Sequence, residues 1–458
     1  MKRESFGSRL GFILVSAGCA IGIGNVWKFP YICGAYGGAA FILIYLCFLV
    51  ILGIPVLVAE FAVGRGSHTS VAKCFDKLAP AGSGWKPLKF IGIIGCYMLM
   101  MFYTTVGGWM IYYCVKSLRG DFVGATPEAV TQSFSDMLGN APTMMLWMVI
   151  ICLIGFAVCF MGLQNGIEKI SKVMMSALLI IMVILAVHSV MMEGAGEGIR
   201  FYLIPDFQKI KEAGVGNVVF AALSQSFFTL SIGIGAMLIF GSYLDKSRSL
   251  TGEAVSITVL DTFVALTAGF IIIPACFSYG IQPDAGPSLI FITLPNVFQQ
   301  AFSGVPLLAY IFSVMFYALL AMAALTSTIS LHEVVTAYLH EEFNLSRGKA
   351  ARLVTGGCIF LGIFCSLSLG VTKGFTIFGL GMFDLFDFVT AKIMLPLGGL
   401  CISLFTGWYL DKKIVWSEIT NNGSIEIPVY KLIIFILKYI APIAISLIFI
   451  NELGLIKL

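Results

Sequence analysis

Two glycine-rich motifs, far apart in the chain, interrupt apolar stretches and lie beside residues whose oxygens could bind ions. The first, GCAIGIGN, covers residues 18–25, and the second, IGIG, covers residues 232–235. A helix that faces lipid gains nothing from such glycines, because each freed backbone group costs several kcal/mol in hydrocarbon. Close helix packing through small residues would explain a single motif. Two motifs in matching positions instead favour a binding site between broken helices.

The oxygen atoms near these motifs favour a cation as one ligand. A broken helix presents carbonyl groups that attract cations and amide groups that attract anions such as a carboxylate. Hard cations such as sodium require several oxygen ligands. Oxygen-bearing side chains near the two motifs are Asn25, Thr229, Ser231, Asp261 and the run Thr326-Ser327-Thr328. A single hydroxyl in a span often bonds only to its own helix, so the cluster as a whole carries the prediction.

Charged residues within apolar stretches add candidate partners, because a carboxylate inside a span is costly and usually functional. Asp261 has no basic neighbour in the sequence, so either a distant lysine or a bound cation could balance its charge. Asp387 could form a gate with Lys28, which follows the first motif. Asp384 and Lys392 could instead form an ion pair within one span.

The composition is that of a polytopic helical membrane protein. Of 458 residues, 59% are hydrophobic and 11% are charged, whereas soluble proteins have about 25% charged residues. The first apolar stretch holds the first motif, so we interpret it as a span rather than a cleavable signal. The 12 cysteines contain no CxxC pair and the four histidines have no metal-ligand spacing, which argues against a disulfide framework or a nitrogen-ligated metal site. Without a nucleophile–base pair or a phosphate-binding loop, an enzyme is not expected.

Apolar runs of roughly 20 residues predict the membrane spans. We predict eleven, at about residues 9–32, 37–65, 88–117, 143–162, 167–190, 216–243, 252–279, 304–338, 350–370, 384–409 and 430–450. Most of the 28 Lys and Arg residues then lie on the same side as the amino terminus. The positive-inside rule places that terminus in the cytoplasm and the carboxyl terminus outside, in a multi-pass protein of the plasma (inner) membrane.

The predicted spans divide into two halves and a remainder. Spans one to five (residues 1–190) and six to ten (191–413) each contain an odd number of crossings, so the second half enters from the opposite side. The eleventh span and the carboxyl terminus occupy 414–458. The predicted fold is therefore an all-α membrane protein with a 5+5 inverted repeat and discontinuous first and sixth helices, the architecture of alternating access around a midplane site.

Several longer motifs resemble one transporter family. The matching segments are residues 9–11, 17–18, 22–30, 36–41, 53–60 and 64–65 in the first two spans, 225–233 (QSFFTLSIG) in the sixth and 325–327 (LTS) in the eighth. Together they resemble the neurotransmitter:sodium symporters over essentially the whole chain. The bacterial leucine transporter, a known example of broken-helix architecture, belongs to that family. The resemblance implies two sodium ions and an amino-acid substrate.

The family pattern assigns roles to particular positions of this sequence. The first sodium site falls on Ala20, Asn25, Thr229 and Asp261, and the second on Gly18, Ile21, Ala323, Thr326 and Ser327. The substrate site falls on Ala20, Gly22, Gly24, Leu99, Tyr103, Phe228, Thr229, Ser231, Ile234, Ser327 and Leu331. In this pattern Tyr103 meets the substrate carboxylate and Phe228 covers the site. The gates fall on Lys28 with Asp387 on the outer side, and on Arg3, Glu341 and Tyr243 on the inner side.

Three positions depart from the family pattern. Lys28 replaces the usual arginine of the outer gate, which keeps the charge but loses the planar fork. Asp261 stands where asparagine is common, and its fixed charge predicts transport without chloride. Ile234 stands between the two glycines of the sixth-span break, where an aromatic residue would narrow the pocket, so larger side chains should fit.

The predicted function is therefore sodium-coupled symport of a hydrophobic or aromatic L-amino acid. A proton-coupled amino-acid permease of the same architecture is the alternative, and a sensor or channel with a vestigial site is a third possibility. The expected partners are a small-molecule amino acid, sodium and the lipid bilayer, with no nucleic acid. The sequence leaves the preferred amino acid, the sodium stoichiometry, proton counter-transport and the oligomeric state open.

Overall fold

The computed structural model describes residues 4–79, 82–280, 288–302, 304–424 and 427–455. Within these ranges the chain is helical, and its only β-type pairing is an isolated bridge between Ile377 and Leu380. Nine helices of this part are long and apolar enough to cross a membrane, and a bent pair raises the number to 10. The predicted all-α polytopic class is therefore confirmed.

The long helices follow the apolar runs of the sequence closely. We number the spans by the order of the predicted crossings. Spans 2 to 5 are Ala39–Ser67, Leu88–Arg119, Ala141–Phe160 and Leu163–Val190. Spans 7 to 11 are Leu250–Ser278, Pro306–Glu342, Arg347–Ser368, Met382–Tyr409 and Pro428–Glu452. Polar side chains cap several of their amino-terminal ends, as where Ser249 Oγ accepts from the amide of Gly252 (3.2 Å) and Asn140 Oδ1 from that of Thr143 (3.0 Å).

Several spans contain short π-helical segments, which often mark functional positions. The described segments are Gly24–Lys28, Leu49–Gly53, Leu163–Glu168, Leu289–Thr293, Phe388–Met394, Phe405–Tyr409 and Ile436–Ile440. Connecting helices are Val71–Leu78, Pro127–Gly139, Ala195–Leu203, Phe207–Ala213, Leu294–Ala301 and Lys412–Ile419. The segment between spans 3 and 4 therefore carries a helix of its own, Pro127–Gly139, and the segment between spans 5 and 6 carries two, Ala195–Leu203 and Phe207–Ala213.

Span 1 is broken at the first glycine motif. Its first half is the helix Arg9–Ala20, and its second half runs over Gly24–Ala35 at an angle of 57° to the first. In the segment between them, the amides of Gly22 and Ile23 donate to side chains, Asn25 Oδ1 at 3.3 Å and Tyr103 Oη at 3.1 Å, rather than to helix carbonyls.

Span 6 is broken at the second motif. The helix Val215–Phe228 ends there and the helix Ala236–Ser242 begins after it. Ser231, Gly233 and Gly235 have φ angles of 51°, 98° and 78°. A left-handed conformation suits glycine but strains serine, and such strain is concentrated at functional sites. The two short halves of span 6 are not among the ten crossings counted above, and they form an eleventh crossing only if both lie in the membrane. The count of eleven spans therefore stays a prediction, as does the 5+5 repeat.

Span 2 holds the break of span 6 in place. The buried carboxylate of Glu60 accepts a hydrogen bond from the amide of Gly233 at 2.6 Å. A Cβ atom at Gly64 would lie 2.0 Å from the carbonyl oxygen of Leu238, so the two backbones touch there. Near the end of span 2, the buried Arg65 pairs with Glu418 at 2.5 Å. The unwound segment is therefore fixed by hydrogen bonds and close packing rather than exposed as a loop.

Candidate functional site

A cluster of three polar side chains joins both broken spans to span 7. Asn25 Nδ2 donates to Thr229 Oγ1 (3.0 Å) and to Asp261 Oδ1 (2.7 Å). Thr229 Oγ1 donates to Asp261 Oδ2 at 2.7 Å. All three side chains are buried. The structure therefore brings together the side chains of the first predicted sodium site. Asn25 and Asp261, the most distant of them in sequence, are 236 residues apart.

The oxygen atoms of this cluster are suitable ligands for a hard cation. Asp261 supplies a buried negative charge, and Asn25 Oδ1 turns toward the break, where the amide of Gly22 donates to it at 3.3 Å. Carboxylate, amide and hydroxyl oxygens are the ligands that hard cations prefer. The predicted fourth ligand is the carbonyl of Ala20, the last residue of the first half of span 1, and Ala20 and Asn25 line one cavity.

A second set of oxygens surrounds Ser327 on span 8. Its Oγ lies 3.2 Å from the Gly18 carbonyl, 3.5 Å from Cys19, 3.3 Å from Ile21 and 3.2 Å from Ala323. One hydroxyl has a single proton to donate, so most of these carbonyl oxygens face the hydroxyl without receiving it. Thr326 Oγ1 bonds to the Met322 and Ala323 carbonyls of its own helix, both at 3.1 Å.

Such an excess of oxygen acceptors is what a cation site requires. The carbonyls of Gly18 and Ile21 are available because span 1 is broken there, and the Ala323 carbonyl is shared with Thr326 and Ser327. The atoms of the second predicted sodium site are therefore gathered between spans 1 and 8, and their roles as ligands stay a prediction.

A small cavity, which we call the central cavity, lies between the two breaks. Its volume is ≈ 30 Å³. Its lining residues are Cys19, Ala20, Gly22, Gly24, Asn25, Leu99, Tyr103, Phe228, Ser231, Ile234, Ser327, Leu331 and Leu395. Every residue of the predicted substrate site lies in this lining except Thr229, which belongs to the polar cluster around Asp261. Cys19 and Leu395 line the cavity but were not predicted.

Tyr103 explains why the first motif needs glycine. The amide of Ile23 donates to Tyr103 Oη at 3.1 Å. A Cβ atom at Gly22 would lie 2.3 Å from that hydroxyl and 2.8 Å from Ser327 Oγ. Only a residue without a side chain lets the break, the tyrosine and the serine meet. The result is a group of amide and hydroxyl donors that can receive a carboxylate.

Phe228 separates the central cavity from a second cavity of ≈ 70 Å³, which we call the charged cavity because Lys28, Asp387, Lys392 and Glu452 line it. Lys28 Nζ lies 4.0 Å from the centre of the Phe228 ring, a cation–π contact. Lys28 and Asp387 both line this charged cavity, yet the described part of the chain contains no ion pair between them. The predicted gate residues therefore face one cavity, with the lysine directed to the ring of Phe228.

Lys392 also lines the charged cavity, but its partner differs from the predicted alternative. Its Nζ lies 3.5 Å from Glu452 Oε2 on span 11, rather than pairing with Asp384. Ser224 Oγ, on the first half of span 6, donates to the same glutamate at 3.2 Å. Glu452 thus links three spans at the mouth of this cavity, a role that its position near the end of the sequence did not reveal.

At the opposite end of the molecule, a third cavity is lined by Tyr243 and Glu341, both predicted gate residues. Arg3, the predicted partner of Glu341, lies outside the described residues. The Glu341 carboxylate accepts from the amide of Ser70 at 2.7 Å. Lys73 Nζ donates to the Glu341 backbone carbonyl.

Sequence reasoning missed an ion-pair network beside the predicted inner gate residues. Tyr243 Oη donates to Glu333 Oε1 at 2.8 Å, and Arg347 Nη2 donates to Glu333 Oε2 at 2.5 Å. Arg347 also lies 3.6 Å from Glu4. Glu333 is buried within span 8, so the rule that a carboxylate in a span is functional would have identified it.

Comparison with known proteins adds an independent result. Residues 3–128 and 128–457 match the Sodium:neurotransmitter symporter family. An uncharacterized sodium-dependent transporter of Bacillus subtilis is 35% identical over 457 residues, covering 100% of this chain and 99% of the relative. One from Haemophilus influenzae is 33% identical, covering 99% and 98%. The crystal structure of MhsT in complex with L-phenylalanine has a TM-score of 0.88 and 38% identity, covering 98% of this chain and 100% of MhsT.

Proposed function

Because the chain belongs to the sodium:neurotransmitter symporter family, and is therefore a sodium-dependent membrane transporter and not an enzyme, we propose that it imports a hydrophobic or aromatic L-amino acid together with sodium. The observation that carries this proposal is the central cavity. Its polar end consists of break amides and the Tyr103 hydroxyl, and its other walls include Leu99, Ile234 and Leu331. That arrangement suits an α-carboxylate at one end and an apolar side chain at the other.

The substrate class receives support from the structural relative. MhsT is described with bound L-phenylalanine, and its 38% identity to this chain makes a similar ligand a reasonable proposal here. In our proposal the amine of the substrate meets backbone carbonyls at the break of span 6, and the carboxylate meets Tyr103 and the Gly22 and Gly24 backbone. Position 20 is an alanine, so it supplies no acidic side chain that could bind the amine of a substrate without a carboxylate.

Sodium would couple binding to the conformational change. An ion held by Gly18, Ile21, Ala323, Thr326 and Ser327 ties span 1 to span 8. A ligand shifts an equilibrium only by binding one state more tightly than the other, and an ion that bridges two moving elements meets this condition. Sodium at Ala20, Asn25, Thr229 and Asp261 would then neighbour the substrate carboxylate. Closure at Phe228, with Lys28 and Asp387, would precede opening on the side of Tyr243 and Glu341.

The decisive experiment measures thermal stabilisation of the purified protein by amino acids, each in sodium and in potassium. A ligand that binds the folded state raises the melting temperature by mass action. We expect stabilisation by leucine, methionine, phenylalanine, tyrosine or tryptophan in sodium only. Equal shifts in both salts would reject sodium coupling for the substrate and favour the proton-coupled permease. Absence of any shift would reject this substrate class.

Transport should not require chloride. The Asp261 carboxylate is buried against Asn25 and Thr229, so a fixed negative charge already stands at the proposed first sodium site. We expect equal uptake into proteoliposomes in sodium chloride and in sodium gluconate. Much lower uptake in gluconate would show that the carboxylate does not replace the anion.

Replacing Ser327 with alanine should weaken sodium binding. The change removes one oxygen from the set of carbonyls at Gly18, Ile21 and Ala323. Hydrogen bonds and contacts to charged groups contribute about 1.5–3 kcal/mol, so the sodium concentration for half-maximal stabilisation should rise about tenfold or more.

Ser330→Ala is the matched control for this change. Ser330 lies on the same helix and is equally buried, but its Oγ donates to the Thr326 carbonyl one turn earlier at 3.0 Å. We expect its sodium titration to match the parent protein. Equal shifts in the two variants would mean that Ser327 has no special role toward sodium.

A further inference from the structure

A thin partition separates the central cavity from the charged cavity. Among the described residues, the linings of these cavities share two side chains, Phe228 and Leu395. Phe228 was expected to cover the substrate site. Leu395 belongs to span 10, and nothing in the sequence distinguishes it from the other leucines of that apolar stretch. Its position between the cavities makes it a candidate for control of what the central cavity accepts.

Leu395 is held at the partition by backbone packing against the break of span 6. A Cβ atom at Gly233 would lie 2.2 Å from the carbonyl oxygen of Leu395. A Cβ atom at Gly398 would lie 1.9 Å from the carbonyl oxygen of Gly233. The two backbones are therefore in direct contact, which requires glycine at both positions. Leu395 cannot retreat along span 10 unless the unwound segment moves with it.

Local structure also marks this position. The helix Leu395–Leu404 begins directly after the π-helical segment Phe388–Met394. Such segments shift the register of a helix and are frequent at functional sites. Here the shift lets one span present Lys392 to the charged cavity and, one turn later, Leu395 to the partition.

The two halves of the partition come from different elements. Phe228 ends the first half of span 6 and carries the ammonium group of Lys28 over its ring at 4.0 Å. Leu395 contributes an apolar side chain and is 5% exposed. Passage between the cavities requires these side chains to separate. The central cavity, at ≈ 30 Å³, has room for about two water molecules at roughly 10–15 Å³ each, so a bound substrate must displace part of its wall.

We propose that Leu395 is the second half of the lid and that its side chain limits the size of the substrate side chain. This inference rests on the proposed amino-acid transport and adds a residue that determines specificity. A shorter side chain at this position widens the cavity toward Lys28 and Asp387, and a bulkier one narrows it. One methylene in an apolar pocket changes selectivity by roughly 10–200-fold, so a change of several carbons is readily measured.

The test compares Leu395→Ala, Leu395→Phe and the parent protein. Each purified protein is titrated with L-leucine and with L-tryptophan in sodium, and apparent dissociation constants are obtained from the thermal shifts. We expect Leu395→Ala to move the ratio of the two constants toward tryptophan by roughly tenfold or more. We expect Leu395→Phe to move it toward leucine. The change of sign between the two variants distinguishes a size limit from general damage.

Leu400→Ala is the matched control, because Leu400 lies on the same helix outside the linings of both cavities. Its ratio should equal that of the parent protein. If Leu395→Ala fails to fold, judged by its melting transition in sodium alone, Leu395→Phe and Leu395→Met decide the question. Unchanged ratios in the folded Leu395 variants would overturn this inference. A parent protein that binds neither amino acid in sodium would instead overturn the proposed function.

Discussion

Asp261→Ala should abolish sodium-dependent amino-acid binding and uptake. The Asp261 carboxylate accepts from both Asn25 and Thr229 at 2.7 Å and is fully buried. Removing it deletes the negative charge proposed to hold sodium and leaves two buried donors without their acceptor. Breaking a buried charged pair costs about 3–5 kcal/mol, which corresponds to a loss of roughly a hundredfold or more in affinity.

The measurement is a sodium titration of the thermal shift at saturating amino acid, followed by uptake into proteoliposomes. Asp261→Asn should retain the shape of the cluster but lose its charge, so we expect weakened sodium dependence with a smaller effect on stability. Asp76→Ala serves as the control, because Asp76 is an exposed partner of Lys89 and does not line the central cavity. Normal sodium-dependent uptake by Asp261→Ala would remove this residue from the coupling mechanism.

Gly22→Ala should eliminate amino-acid binding while the protein still folds. The added Cβ atom would lie 2.3 Å from Tyr103 Oη and 2.8 Å from Ser327 Oγ. Both neighbours are side-chain ends that can turn away, so the methyl group takes the space proposed for the substrate carboxylate. Each lost hydrogen bond to the charged carboxylate contributes about 1.5–3 kcal/mol. Losing two of them should weaken binding by roughly a hundredfold or more.

Scintillation proximity binding of a radiolabelled amino acid in sodium would measure this loss. Gly356→Ala is the control, because no atom lies within 4 Å of the position of its Cβ and the substitution favours the helix. We expect its affinity to match the parent protein. Tight binding by Gly22→Ala would place the substrate carboxylate elsewhere. A failure of Gly22→Ala to melt cooperatively in sodium would show that Gly22 is needed for folding as well.

Much of this architecture was predictable because the bilayer restricts what an apolar chain can do. Spans must satisfy their backbone groups internally, so the lengths of apolar runs predicted the long helices to within a few residues. Glycine motifs in such runs predicted both broken spans, and they are broken at residues 21–23 and 229–235. Charged and hydroxyl side chains near the breaks predicted the polar clusters, because a polar group inside a span is costly and is usually functional.

Resemblance to a known family extended these predictions to apolar and backbone positions. Leu99, Ile234 and Leu331 are ordinary apolar residues, and only their match to the family pattern singled them out. The structure gathers them around one cavity. Their contribution to substrate binding stays a prediction until the titrations are made.

Contacts between spans distant in sequence were decided by the tertiary structure alone. The choice of Glu452 over Asp384 as the partner of Lys392 depends on how span 11 packs beside span 10. The placement of Lys28 over Phe228 depends on the angle of 57° within span 1.

Leu395 illustrates the physical reason most clearly. Its side chain reaches the partition because the backbone of span 10 contacts that of Gly233, so closely that a Cβ atom at Gly233 would lie 2.2 Å from the Leu395 carbonyl oxygen. Sequence composition determines which residues prefer lipid, water or each other. It does not determine the rotation of one helix against another, which follows from the packing of all their side chains at once.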